Sequence, residues 1–86
     1  MSKIKGSCLC GKLSFSSEEK PVLTAICHCH DCKKQTGSAY SIVTAVSEDS
    51  LQIRGEPKTF TTYGESGRQV HRKFCDDCGS PIASLA

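Results

Sequence analysis

Phe74-Cys75-Asp76-Asp77-Cys78-Gly79-Ser80-Pro81 is the stretch whose reading decides the fold. A Cys-x-x-Cys-Gly turn offers two sulfurs to one ion, and the glycine admits the left-handed backbone needed where the chain reverses. Near the start, Cys8-Leu9-Cys10-Gly11 is a shorter form of the same device, since residues two apart on an extended segment share a face. Between them lie Cys27, Cys29 and Cys32. Zinc takes four tetrahedral ligands at about 2.0 to 2.3 Å, and thiolate sulfur suits it. Cys27 and Cys29 fall on one side of a strand end and Cys32 returns from the following turn, so these three reach a single ion unaided. The two outer pairs then close a four-cysteine site that joins residue 8 to residue 78, and all seven cysteines are used.

The partition has a chemical consequence. A four-thiolate zinc is saturated and structural, whereas three protein ligands leave one position for water or substrate. Such an open zinc lowers the pKa of a bound thiol or water and polarises a carbonyl. Activity is therefore expected at Cys27, Cys29 and Cys32. Two other readings of this group stand beside it: His30 as a fourth ligand that closes the site, or Cys27 as a buried apolar thiol. His28 would point away from a metal faced by its neighbours. His71 reads as a structural histidine, and Asp76 and Asp77 as polar residues serving the turn. No Ser-His-Asp or paired-carboxylate arrangement is readable from the spacing.

Composition explains why metal is needed. The chain has 86 residues, enough for one domain, with 37% hydrophobic residues, few aromatics and no Trp. Domains with so thin a core are usually stapled by disulfides or metal. Disulfides belong to oxidising compartments, yet residues 1–6 carry no apolar run of the kind a signal peptide needs, and an odd count leaves one thiol unpaired. The reading is a cytoplasmic metal protein. A net charge of +2 is too mild for a nucleic-acid or acidic-membrane partner, and no segment is apolar enough to span a bilayer. The basic stretch from Arg68 to Lys73 interleaves with Val70 and Phe74 as a solvated strand face would.

Alternation with period two dominates, which is the strand signature. Strands are expected over residues 3–7, 12–16, 22–27, 40–46, 51–54, 58–63, 69–74 and 82–85. Those at 22–27 and 40–46 are rich enough in apolar and β-branched residues to be buried. Residues 31–36 give the one helical turn, stopped by Gly37. The fold class is mainly β.

The three cysteine motifs, Gly6-Ser7-Cys8-Leu9-Cys10-Gly11, Cys27-His28-Cys29-His30-Asp31-Cys32-Lys33-Lys34-Gln35-Thr36-Gly37-Ser38 and Phe74 to Pro81, together resemble the glutathione-dependent formaldehyde-activating enzymes, a domain also found in centromere protein V. The resemblance runs from about Gly6 to Ala83. It implies a β-tent of small antiparallel sheets with two zinc ions per chain: a structural one on Cys8, Cys10, Cys75 and Cys78, and a catalytic one on Cys27, Cys29 and Cys32. The implied activity is that of a carbon–sulfur lyase, joining formaldehyde to glutathione as S-hydroxymethylglutathione. In that reading Gln35, Gly37 and Ser38 offer amide and hydroxyl donors to the substrate, while Lys33, Lys34 and Arg72 attract its carboxylates. Family members usually continue for some tens of residues beyond the Cys-Gly-Ser-Pro segment, so the chain is expected to be a truncated gene product, a fragment, or a minimal domain that pairs an exposed strand edge with a second copy as a homodimer. The alternative function is a catalytically inactive, zinc-stapled protein-interaction module.

Overall fold

Eight short strands, one helix and one 3-10 turn make up the described part of the chain, residues 4–64 and 66–85, in a computed structural model. In chain order they are β1 (Ile4–Ser7), β2 (Ser14–Ser17), β3 (Leu23–Cys27), α1 (His30–Thr36), β4 (Ser41–Ala45), the 3-10 turn Glu48–Ser50, β5 (Leu51–Arg54), β6 (Lys58–Tyr63), β7 (Gln69–Phe74) and β8 (Pro81–Leu85). They form three antiparallel sheets ordered β1-β2-β5, β3-β4 and β6-β7-β8. The class is mainly β, with small sheets and one helix. No helix among the described residues is long and apolar enough to cross a membrane.

Two hairpins, each turned over a pair of cysteines, carry the design. In the first, the Cys8 amide donates to the Leu13 carbonyl (3.0 Å) and the Gly11 amide to the Cys8 carbonyl (3.1 Å). The second repeats this closure between Cys75 and Ser80 (2.9 Å) and from Gly79 to Cys75 (2.8 Å), with Gly79 at φ 77°. That positive φ is the reason for a glycine there: a Cβ would strain the reversal. The turns meet tip to tip. The Leu9 amide donates to Ser80 Oγ (3.0 Å), and Lys12 Nζ lies 3.4 Å from Asp76 and 3.1 Å from Asp77. Asp76 and Asp77 thus do more than serve their own turn, although half-exposed ion pairs of this kind contribute little to stability.

The core sits where the turns meet and is very small. Leu13 (1% exposed), Cys75 (0%) and Cys8 (4%) form it, with Cys78 and Ile82 packed against them. Two of its three buried members are metal-type ligands.

Three expectations need correction. The strands expected at 22–27 and 40–46 do form, as β3 and β4, but they are exposed: Ile26 is 60% and Ile42 66% accessible. Apolar composition marks a strand that seeks cover, whereas burial requires a second layer. Among the described residues the β3-β4 sheet has two strands, and α1, which links them, has no buried residue of its own. Second, β2 begins at Ser14 instead of Lys12. Leu13 is drawn into the cysteine turn, its amide donating to Cys8 Sγ at 3.2 Å. Third, the helical turn starts one residue earlier than residue 31, because Cys29 caps it by accepting from the Cys32 amide (3.2 Å).

Candidate metal centres

The first centre is built by the two hairpin turns. The sulfurs of Cys8, Cys10, Cys75 and Cys78 all lie within 4.8 Å of one another, although 65 residues separate Cys10 from Cys75. All seven cysteines of the chain are free thiols. A tetrahedral ion with metal–sulfur bonds of about 2.3 Å sets neighbouring sulfurs about 3.8 Å apart. Cys8 and Cys10 stand at 3.6 Å and Cys10 and Cys75 at 3.7 Å. The donor set and its spacing therefore fit a zinc-sized ion. Amide and hydroxyl donors point at the sulfurs, as a thiolate requires: Leu13 N–H on Cys8, and the Ser80 hydroxyl 3.2 Å from Cys78. The Ser80 hydroxyl, together with the Cys10 and Ser80 amides, pulls the Cys78 thiol down to about 5. The Leu13 amide likewise lowers Cys8. Cys10 is pushed up to about 12; the Lys12 amide favours its thiolate, but Cys8, burial, Cys75 and Cys78 together outweigh that amide. Sulfurs this close ionise fully only when a cation replaces their protons.

The second centre is local. Cys27 ends β3, Cys29 caps α1 and Cys32 lies in the first turn of that helix; their sulfurs also lie within 4.8 Å of one another. The same division of protons recurs. Cys29 is lowered, first by donation from the Cys32 thiol and next by the Cys32 amide, while Cys32 is pushed up to about 12, first by Cys27 and then by Cys29. Cys29 is exposed and its two companions half-buried, so this cluster faces solvent, unlike the first. His28 packs its ring against Tyr40, the centroids 6.0 Å apart. Neither His28 nor His30 is among the groups that converge with these sulfurs.

A cavity of about 330 Å³ opens along the helix that carries Cys32. Asp31, Lys34 and Gln35, spaced to share one helical face, form one wall; Phe60, Thr62, Arg72 and Phe74 of β6 and β7 form the other, with Gly79 and Pro81 at its end. Arg72 spans the two walls. Its Nη1 donates to Gln35 Oε1 (2.7 Å), its Nε to Thr62 Oγ1 (3.1 Å), and its Nη2 lies 3.6 Å from Asp31 Oδ2. Of the residues singled out as substrate contacts, Gln35, Lys34 and Arg72 line this cavity, and Lys33, Gly37 and Ser38 do not. Gly37 ends α1, donating to the Lys33 carbonyl (2.9 Å), while Ser38 donates its amide to Thr36 Oγ1 (3.2 Å) and accepts from the Tyr40 amide (3.4 Å). His71 meets Thr61 across the strand pair at 3.0 Å, as a structural histidine does. The cavity roles of Phe60, Phe74 and Pro81 depend on residues far along the chain and leave no local signal, whereas Ser80 buttresses Cys78 two residues away, inside the Cys-Gly-Ser-Pro segment.

A family model described as glutathione-dependent formaldehyde-activating enzyme matches residues 3–86, and the chain belongs to that family. No curated protein matches the chain.

Proposed function

Proceeding from that membership, we propose that the chain holds two zinc ions and adds a small thiol, glutathione foremost, to formaldehyde beside Cys27, Cys29 and Cys32. The observation that carries this reading is the pairing of an exposed three-sulfur cluster with a cationic, apolar-walled cavity on one helix. Zinc bound by those three cysteines supplies a Lewis acid with one position free for a thiolate or a carbonyl oxygen. The remaining work belongs to the chain. Lys34 and the two N–H groups of Arg72 not committed to Thr62, Gln35 and Asp31 attract the carboxylates of the thiol. Asp31 suits its ammonium. Phe60, Phe74 and Pro81 shield the bound body from water, which strengthens these contacts. The thiolate sulfur attacks the carbonyl carbon, the carbon–oxygen π pair moves to oxygen, and a proton from solvent completes the hydroxymethyl thioether, so the activity is of the carbon–sulfur lyase class. In this reading Cys8, Cys10, Cys75 and Cys78 hold the other ion and take no part in the chemistry.

The test is exchange-rate NMR on formaldehyde and glutathione with and without the zinc-loaded protein. Acceleration that disappears in Cys29→Ser supports the reading. A rate equal to that of the uncatalysed mixture sinks it and leaves the zinc-stapled interaction module, a role the exposed β3-β4 strand pair favours.

A further inference from the structure

Resting on the thiol reading of this site, we infer that the cavity between α1 and the β6-β7 strands selects its thiol by an apolar, ring-bearing body with one carboxylate. Such an arylalkyl carboxylate body binds there more tightly than the peptide body of glutathione. The strand register builds the apolar floor. β6 and β7 set Phe60 opposite Arg72, and β7 and β8 set Phe74 opposite Pro81. Residues two apart on a strand share a face, so Phe74 stands beside Arg72, and Phe60, Phe74 and Pro81 run as one strip across three strands. Phe60 keeps 62% of its surface exposed, which leaves its ring open to a ligand. The volume of about 330 Å³ lies at the small end of ligand cavities, which run from about 300 to 1,000 Å³. A ring laid on this strip gains both apolar burial and aromatic contact.

The polar groups gather on the α1 side, and most of their capacity is already spent. Arg72, its side chain only 16% exposed, uses Nε on Thr62, Nη1 on Gln35 and Nη2 on Asp31. Two guanidinium N–H groups remain. Gln35 accepts from Arg72 through Oε1, which leaves the hydrogens of its Nε2 to a ligand. Lys34 adds an ammonium, and Asp31 is the one carboxylate of the lining. Two cations against one carboxylate leave room for one anion, and the donors that remain suit a carboxylate. Glutathione brings two carboxylates, an ammonium and two peptide units. Its peptide groups would lie against Phe60, Phe74 and Pro81, whose side chains offer no hydrogen bond, and a polar group desolvated without a partner is costly. An arylalkyl carboxylate escapes that cost, because its charged end meets the donors and its ring meets the strip.

The test titrates the zinc-loaded full chain, without formaldehyde, and reads two-dimensional NMR shifts of the Gln35 side-chain amide and of the Phe60 and Arg72 amides. The probes are 3-phenylpropionate and S-methylglutathione, which keeps the charges of glutathione but presents no thiolate to zinc. Propionate and 3-phenylpropanol supply the carboxylate and the ring separately. 3-Phenylpropionate should bind at least about 10-fold more tightly than any of the other three. Phe60→Ser changes an exposed side chain and should weaken 3-phenylpropionate about 10-fold while moving S-methylglutathione by less than about 2-fold. S-methylglutathione binding as tightly as 3-phenylpropionate overturns the inference, as does an unchanged affinity for 3-phenylpropionate in Phe60→Ser or shifts confined to other strands. The underlying reading fails separately. Binding of 3-phenylpropionate in the cavity, with no acceleration of the glutathione–formaldehyde reaction, sinks the catalytic reading and supports the ligand preference. Acceleration by a protein that does not bind 3-phenylpropionate overturns the preference alone.

Discussion

Replacing Cys75 with Ser should unfold the domain, and replacing Cys29 with Ser should not. Cys75 is wholly buried beside Leu13 and Cys8, and these three side chains are the buried apolar core of the described chain. Burying a leucine contributes roughly 2 kcal/mol and two cysteines somewhat less, so this core supplies about 5 kcal/mol before backbone entropy is counted. A structural zinc on thiolates contributes about 10 to 16 kcal/mol, as much as the whole net stability of a small domain. Losing one of the four sulfurs therefore removes more than the core can replace. Cys29 is exposed, and serine is itself a preferred helix cap that accepts from the same Cys32 amide, so this substitution should cost less than about 1 kcal/mol. Amide dispersion in a two-dimensional NMR spectrum and urea midpoints by circular dichroism, each with and without chelator, read both effects. A Cys75→Ser protein with a wild-type spectrum and midpoint would refute the reasoning, as would equal unfolding by both variants.

Ser80→Ala removes the hydroxyl that does most to hold Cys78 down to about 5. A depressed thiol favours the metal-ready thiolate above its folded value and loses it as pH falls through that value. The alanine variant should therefore release metal at higher pH, with affinity at neutral pH weakened about 10- to 100-fold, as an acid titration with a zinc indicator would show. Gly55→Ala places a Cβ 2.6 Å from Leu13 Cδ2 and 3.0 Å from the Lys12 carbonyl at φ 95°. It should cost about 2 to 3 kcal/mol in urea denaturation, and a neutral result would mean that the Leu13 core is looser than described. Arg72→Met cuts the link from β7 to α1 and should speed metal loss from the Cys27–Cys29–Cys32 cluster while the four-cysteine centre keeps its ion; two-phase release kinetics with a chromophoric chelator distinguish the two.

Much of the architecture is legible because it is decided within a few residues. Cys75 and Cys78 reach a common point through one turn, and Cys27, Cys29 and Cys32 through a strand end and a helix cap, so spacing alone predicts their convergence. Period-two alternation marks strands such as those at residues 12–16 and 51–54 for the same reason, since the pleat is local, while 22–27 and 40–46 are marked by β-branched and apolar composition. Burial was not legible in this way. Residues 22–27 and 40–46 have the composition of core strands, yet β3 and β4 are largely exposed, and among the described strands no other joins their sheet.

By itself, then, the sequence determined which sulfurs stand ready for metal and which segments extend, since ligand spacing and side-chain alternation act over a few covalent bonds. The count of seven, once three were assigned to the local cluster, also paired the turn at Cys8 with the turn at Cys75, as the structure has them. Only the tertiary structure decided that Arg72 crosses from β7 to Gln35 and Asp31 on α1, and that the apolar β3-β4 strand pair stays exposed. Those two outcomes depend on which surfaces meet in space, and they lack the paired ligand motifs that let the distant cysteine turns be matched.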